Sequence, residues 1–139
     1  MGWSYRDVLP YFLRAEANQN GADAWHGDSG PLQVSNQRNP RAITDAFIRA
    51  AGELQIRTNP DFNGPDQEGV GLYQVTQFHS REKAGERCSS AAAYLHPNAD
   101  RANLTIVTRA HATKIEFEGK RAKRVGSVAK LIPRGRPGL

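Results

Sequence analysis

Loop-forming residues set the first limit on what this chain can become. Residues 18–30 and 59–66 are crowded with Asn, Gly, Asp and Pro, so the periodic apolar stretches around them are short. Nothing approaches the ~20 consecutive apolar residues that a membrane-spanning helix needs. At 139 residues with 38% apolar side chains, the length suits one domain with a modest core. Residues 1–7 show no basic segment leading into an apolar one, which leaves the cytoplasm as the expected location. The single cysteine, Cys88, excludes an internal disulfide and a multi-cysteine zinc site.

Between the loops, periodicity predicts the elements. Ser4 and Asp7 make a weak form of capping box, and Val8, Leu9, Phe12 and Leu13 supply an apolar stripe. Taking Asp7 as the cap puts Pro10 at a tolerated early position and predicts a helix over about 8–18. Residues 31–35 alternate as a short strand does. Ile43, Ala46, Phe47, Ala50, Ala51 and Leu54 recur at spacings of three and four, the mark of an amphipathic helix. Residues 70–78 read as a strand. A charged, hairpin-like stretch then ends at Gly85, and Cys88 or Ser89 opens an Ala-rich helix that runs through Leu95 and stops at Pro97. Residues 104–107 and 112–117 read as two further strands, the second followed by a Glu118-Gly119-Lys120 turn.

The formal charge of +5 belongs to one end of the chain. Residues 1–113 carry 11 Lys/Arg against 12 Asp/Glu, whereas residues 114–139 carry 8 against 2. The body therefore has no electrostatic footprint for nucleic acid, and nucleic acid is not an expected partner. The Gly- and Pro-rich basic end, residues 123–139, is expected to be a disordered tail.

The chain carries few motifs that complete a known chemistry. Gly69-Val70-Gly71 begins like a dinucleotide fingerprint, but Gln74 stands where the third glycine belongs, and the residues open a predicted strand rather than a helix. The four histidines, His26, His79, His96 and His111, have no two at a helical ligand spacing. His26 is the most suggestive, since Gly27 and Gly30 bracket a loop that could present its ring, though a loop-organising hydrogen bond is the favoured reading. Glu68, Glu82 and Glu86 have no evident partner for acid–base work. Arg87-Cys88-Ser89-Ser90 could place a thiolate beside a cation, but no base accompanies it, and an inert cysteine is the better reading.

Taken together, several blocks of sequence resemble the glucose–methanol–choline (GMC) family of FAD-dependent oxidoreductases, in its choline dehydrogenase-like branch. They are Gly2-Trp3-Ser4-Tyr5-Arg6-Asp7-Val8-Leu9-Pro10-Tyr11-Phe12 with Ala15-Glu16, then His26-Gly27 with Gly30-Pro31-Leu32, then Asp61-Phe62-Asn63-Gly64. Gln67-Glu68-Gly69-Val70-Gly71-Leu72-Tyr73-Gln74-Val75-Thr76-Gln77 follows, with Arg87-Cys88-Ser89-Ser90-Ala91, Tyr94-Leu95-His96-Pro97 and Phe117-Glu118-Gly119-Lys120-Arg121-Ala122. The resemblance covers about residues 2–122, in order.

The resemblance implies an α+β fold, a small antiparallel sheet with about three helices, forming the central part of a GMC oxidoreductase. Residues 1–122 would hold substrate-domain elements and a piece of the FAD domain. It implies that Ala112 brings its backbone to the adenine of FAD, and that Tyr73 and Gln74 lie on a substrate-domain strand near the active cavity. The family's glycine-rich FAD loop lies upstream of these residues and its catalytic His far downstream. The implied chain is thus an alcohol (choline-like) dehydrogenase fragment, inactive and without bound FAD by itself, unless self-association or complementing segments supply the rest. The alternatives are a non-catalytic binding module with a basic tail, or one part of a split flavoenzyme.

Overall fold

Ser4 decides where the first helix begins. The computed structural model describes residues 2–129. In it the Asp7 carboxylate accepts from the Ser4 backbone N–H at 3.0 Å and from its hydroxyl at 2.8 Å, while the Ser4 oxygen accepts from the Asp7 N–H at 3.4 Å. This reciprocal box satisfies amides that a helix start otherwise leaves free. Helix α1 therefore spans Tyr5–Ala15 rather than 8–18, with Ser4 as its cap and Pro10 inside it. Pro10 sits on an exposed position and forgoes only the bond its missing N–H would have made one turn back.

The chain turns extended at Glu16 because its backbone is claimed by another segment. Strand β1 (Glu16–Asn18) pairs in parallel with β2 (Leu32–Val34), Ala17 opposite Gln33. A parallel pair needs a crossover of about a dozen residues, and residues 19–31 supply it without a helix. That crossover is pressed against its own start: Asn18 N–H donates to the Gly27 carbonyl at 2.8 Å and Gly30 N–H to the Glu16 carbonyl at 2.8 Å. A Cβ on Gly27 would lie 1.8 Å from the Leu13 carbonyl oxygen, and one on Gly30 2.3 Å from that of Ala15, so only glycine permits the approach.

Helix α2 (Ala42–Glu53) matches its periodicity and buries Ala51. Residues 70–78 depart from expectation. Val70 bridges Thr58, Val75 bridges Ser35 and Gln77 bridges Arg87, each as an isolated bridge to a different partner. Strand propensity is met only where a partner runs alongside, and here no partner stays for two residues. The hairpin-like stretch does close, with Gly85 at φ +91° donating to the Phe78 carbonyl. The Ala-rich segment is a π-helical turn, Ala91–Leu95, at whose start the Ser89 hydroxyl accepts from the Ala92 N–H at 3.2 Å, and a 3₁₀ turn, His96–Asn98, carries the chain through Pro97.

The chain divides into two units, Met1–Ala99 and Asp100–Leu139. Among described residues the first unit buries few apolar side chains, namely Ala17, Ala51, Cys88 and Ala93, alongside the polar Asn18, His26, Ser35 and Asn59. Its interior is held largely by hydrogen bonds. In the second unit residues 104–107 form no strand, with Val107 exposed and Leu104 N–H in a turn to Arg101. Strand β3 (Ala110–Glu118) and strand β4 (Arg121–Ala129) make an antiparallel hairpin across Gly119-Lys120, where Gly119 has φ +60°. Residues 123–129, expected in a disordered tail, thus complete a strand, because a two-residue turn sets Arg121 back along Glu118. The rest of that expected tail, residues 130–139, lies outside the described residues. The architecture is α+β as expected, with an antiparallel two-stranded sheet, β3–β4, and in addition a parallel one, β1–β2.

Candidate functional site

Two of the buried polar residues of the first unit, Asn18 directly and Asn59 through Asp61, lead to His26. Its ring is 6% exposed, and its loop is set locally by Asp23, whose carboxylate accepts from the Trp25 and His26 backbone N–H groups at 2.7 Å each. Those bonds, that from Trp25 foremost, hold the Asp23 carboxyl below its ordinary range. Nδ1 of His26 lies 3.1 Å from Glu16 Oε2, and Nε2 lies 2.9 Å from Asp61 Oδ2. Asp61 is itself placed by a turn: its N–H donates to Asn59 Oδ1 and its Oδ1 accepts from the Asn63 N–H, each at 2.9 Å. Burial pushes the His26 pKa down, but the hydrogen bonds to Asp61 and Glu16 and their charges outweigh it, and the net direction is up.

From this centre the network runs through Asn18. Its Nδ2 donates to Glu16 Oε1 at 3.0 Å and to Gln74 Oε1 at 2.9 Å, and its Oδ1 accepts from Gln74 Nε2 at 3.1 Å. Gln74 Nε2 also donates to Asn36 Oδ1 at 2.9 Å. Beyond Gln74 is a cavity of about 320 Å³, lined by Asn59, Gly71, Leu72, Tyr73, Gln74 and Ile48 among others. Tyr73 stacks on Phe62 with ring centroids 4.4 Å apart.

The expected site residues therefore fall in two places. Tyr73 and Gln74 line one cavity of the first unit, whereas Ala112 lies on β3 of the second, opposite Ser127. His26 makes the hydrogen bonds expected of a loop organiser, but its ring is buried between two carboxylates rather than presented. Glu16 and Asp61 each lie in a block of the family resemblance and Asn18 in the loop between blocks, yet nothing in their spacing pairs them across up to 45 residues of chain. Cys88 is 1% exposed, with Sγ accepting from the Gln33 N–H at 3.3 Å, which is an inert position. His79 donates from Nε2 to the Ala17 carbonyl at 3.0 Å. Among the described residues no cluster of His, Cys, Asp and Glu could hold a metal, and no helix is long and apolar enough to cross a membrane.

The basic end is also altered by its fold. Lys123 pairs with Glu118 and Arg124 with Glu116, while Lys114 lies 3.2 Å from Glu116. Three of the eight basic side chains of residues 114–139 are thus paired along the hairpin, and with only two glutamates the segment keeps its net charge of +6.

Comparison with known proteins agrees with this placement of the blocks. The profile of the GMC oxidoreductase family matches residues 1–132, ten residues beyond the limit drawn from sequence alone. The chain belongs to the GMC oxidoreductase family. Among its GMC relatives, an alcohol dehydrogenase [acceptor] of Pseudomonas putida is 43% identical over 92% of this chain and 22% of that protein. An oxygen-dependent choline dehydrogenase of Brucella ovis is 41% identical over 87% of this chain and 21% of that protein. In structure, pyridoxine 4-oxidase from Mesorbium loti superposes with a TM-score of 0.73 at 25% identity, over 93% of this chain and 25% of that one. The chain spans about a fifth of the length of these curated GMC relatives.

Proposed function

We propose that this GMC segment serves an FAD-dependent alcohol dehydrogenase of the choline type, supplying one wall of the substrate cavity and one strand beside the flavin nucleotide, and that it is inactive alone. The observation that carries the reading is the 320 Å³ cavity with Tyr73 and Gln74 on its wall. A hydroxyl-bearing substrate suits such a wall, which offers the aromatic face of Tyr73, the apolar Leu72 and Ile48, and the spare acceptor lone pairs of the Gln74 and Asn59 amide oxygens, their amide hydrogens being donated to Asn18, Asn36, Asp66 and Glu68. The named relatives share that substrate chemistry, since choline and pyridoxine are both alcohols.

Ala112 fits a role beside FAD. The ladder slips between Ala112 and Lys114, so the peptide of Thr113 stands outside the regular pairing, and the alanine side chain is small and exposed. A bulge of this kind leaves main-chain groups free for a ligand. FAD, when bound, supplies the acceptor for the hydride leaving the alcohol carbon. These 139 residues offer no Gly-x-Gly-x-x-Gly phosphate cradle, and the base for the alcohol proton is not assigned among them.

The exposed apolar side chains support a segment that packs against more protein. Phe12 of α1, Phe47 of α2, and Ile115, Phe117, Val125 and Val128 of the hairpin are all exposed. A lone two-stranded hairpin is marginal in water.

The test is a hybrid in which residues 1–132 replace the matching segment of the Pseudomonas putida enzyme. The hybrid is expected to retain flavin and oxidise alcohols, while the isolated chain with added FAD does neither. Tyr73→Ala and Gln74→Ala in the hybrid should raise KM several-fold more than they lower kcat. Alcohol oxidation by the isolated chain, or a folded hybrid without flavin, would overturn the proposal.

A further inference from the structure

We infer that His26 is a positioning residue for Gln74: the proton on its Nδ1 decides, through the two amide hydrogens of Asn18, whether the Gln74 side chain is held in place. Glu16 can only accept, so the Asn18 atom 3.0 Å from Glu16 Oε1 is the amide nitrogen. That nitrogen has two hydrogens and three neighbouring groups within reach: Glu16 Oε1 at 3.0 Å, Gln74 Oε1 at 2.9 Å and His26 Nδ1 at 3.1 Å. Only two of the three can be served.

With His26 protonated the allocation is complete. Nδ1–H donates to Glu16 and Nε2–H to Asp61, and because Nδ1 is then no acceptor, both Asn18 hydrogens go to Glu16 and Gln74. The Asn18 oxygen is filled as well, by Gln74 Nε2 at 3.1 Å and the Asn20 N–H at 3.0 Å. Loss of the Nδ1 proton leaves a lone pair 3.1 Å from the Asn18 amide and removes the proton shared with Glu16. Asn18 then has a third acceptor competing for two hydrogens, and the reciprocal Asn18–Gln74 pair is what it can surrender. Glu16 keeps the Gly27 N–H at 3.1 Å. Gln74 is left with Asn36 at 2.9 Å, on the other side of its amide.

The charges facing the imidazole from every packed element are acidic: Glu16 on β1, Asp61 in the loop of residues 59–66, and Asp23 within its own loop. Among the described residues no Lys or Arg forms an ion pair with any of the three. The imidazolium is therefore the cation that joins β1 to the 59–66 loop. The catalytic weight of this coupling rests on the proposed place of Gln74 in the substrate cavity; the coupling itself does not.

The experiment is an NMR titration of the labelled full chain from about pH 5 to about pH 9, spanning the histidine range, with no flavin or substrate present. The His26 ring carbons and the Gln74 side-chain amide are followed together. The Gln74 amide is expected to shift with one inflection at the His26 midpoint, above 6.5. In Asp61→Asn both midpoints should fall together. A Gln74 amide that is flat through the His26 titration, or that inflects at another pH, overturns the inference in the wild-type chain without any variant. If Gln74 follows His26 but Gln74→Ala leaves KM of the hybrid unchanged, the cavity assignment fails and the coupling stands.

Discussion

Replacing Gly27 by alanine should be among the most damaging single-methyl additions this chain can receive. The new Cβ would lie 1.8 Å from the Leu13 carbonyl oxygen, whereas real Cβ contacts essentially never fall under 3.0 Å, so one backbone must retreat by about 1.2 Å. Two hydrogen bonds stand at that point: Asn18 N–H to the Gly27 carbonyl at 2.8 Å, and Gly27 N–H to Glu16 at 3.1 Å. The first is a neutral pair, worth about 1 kcal/mol, and the second involves a carboxylate, worth about 1.5–3 kcal/mol. Their loss sums to roughly 2.5–4 kcal/mol, a large part of the ~5–15 kcal/mol that holds a domain folded. Gly52 is the matched control, because it lies in α2 with nothing within 4 Å of its would-be Cβ. Gly52→Ala should stabilise by about 0.5–1 kcal/mol. Urea denaturation followed by fluorescence of the half-buried Trp25, next to His26, reads both variants. A Gly27→Ala midpoint equal to wild type, with Gly52→Ala behaving as expected, would refute the close approach of the crossover to α1.

Ser4→Ala removes the cap oxygen of α1 and should cost about 0.5–2 kcal/mol, read as helical signal lost on heating. Asp7 is held below its ordinary value of 3.8 by the Ser4 hydroxyl, so the cap should weaken only as pH falls through that lowered value; a loss already complete near neutrality would contradict this. His26 has the opposite sign. Its raised folded value means its stabilisation is fully present below about 6.5 and fades as pH rises through the folded midpoint, so urea midpoints should drop from about pH 6 to about pH 9, and drop less in His26→Gln. Cys88, at 1% exposure, should react with a thiol reagent only after denaturation; rapid reaction of the native chain would mean that the contacts of Gln33 and Pro31 around it do not form.

Local signals served where the deciding interaction lies within a few residues. The spacing of Ile43, Ala46, Phe47 and Ala50 suffices for α2, and Glu118-Gly119-Lys120 suffices for the hairpin turn, because a positive φ and a short loop are properties of the turn itself. Ser4 and Asp7 were legible as a box, but the bounds of α1 were not. Its start follows the box past a proline inside the helix, and its end is set by β2, sixteen residues on from Glu16. Residues 70–78 and 104–107 have equally strand-like composition, and neither is a strand, since a strand is a pairing and its partner is not written in its own sequence.

The candidate site divides the same way. The order and content of the recognised blocks, Ala15-Glu16, His26-Gly27, Asp61-Phe62 and Tyr73-Gln74, were enough to assign the family, because family membership depends on residue identity along the chain. That Glu16, His26, Asp61, Asn18 and Gln74 meet in one part-buried network was decided only in three dimensions. A carboxylate, an imidazole and an amide have no periodicity that predicts one another. What brings them together is a crossover that Gly27 and Gly30 allow to lie against α1 and β1, at separations where a single methyl group would forbid it.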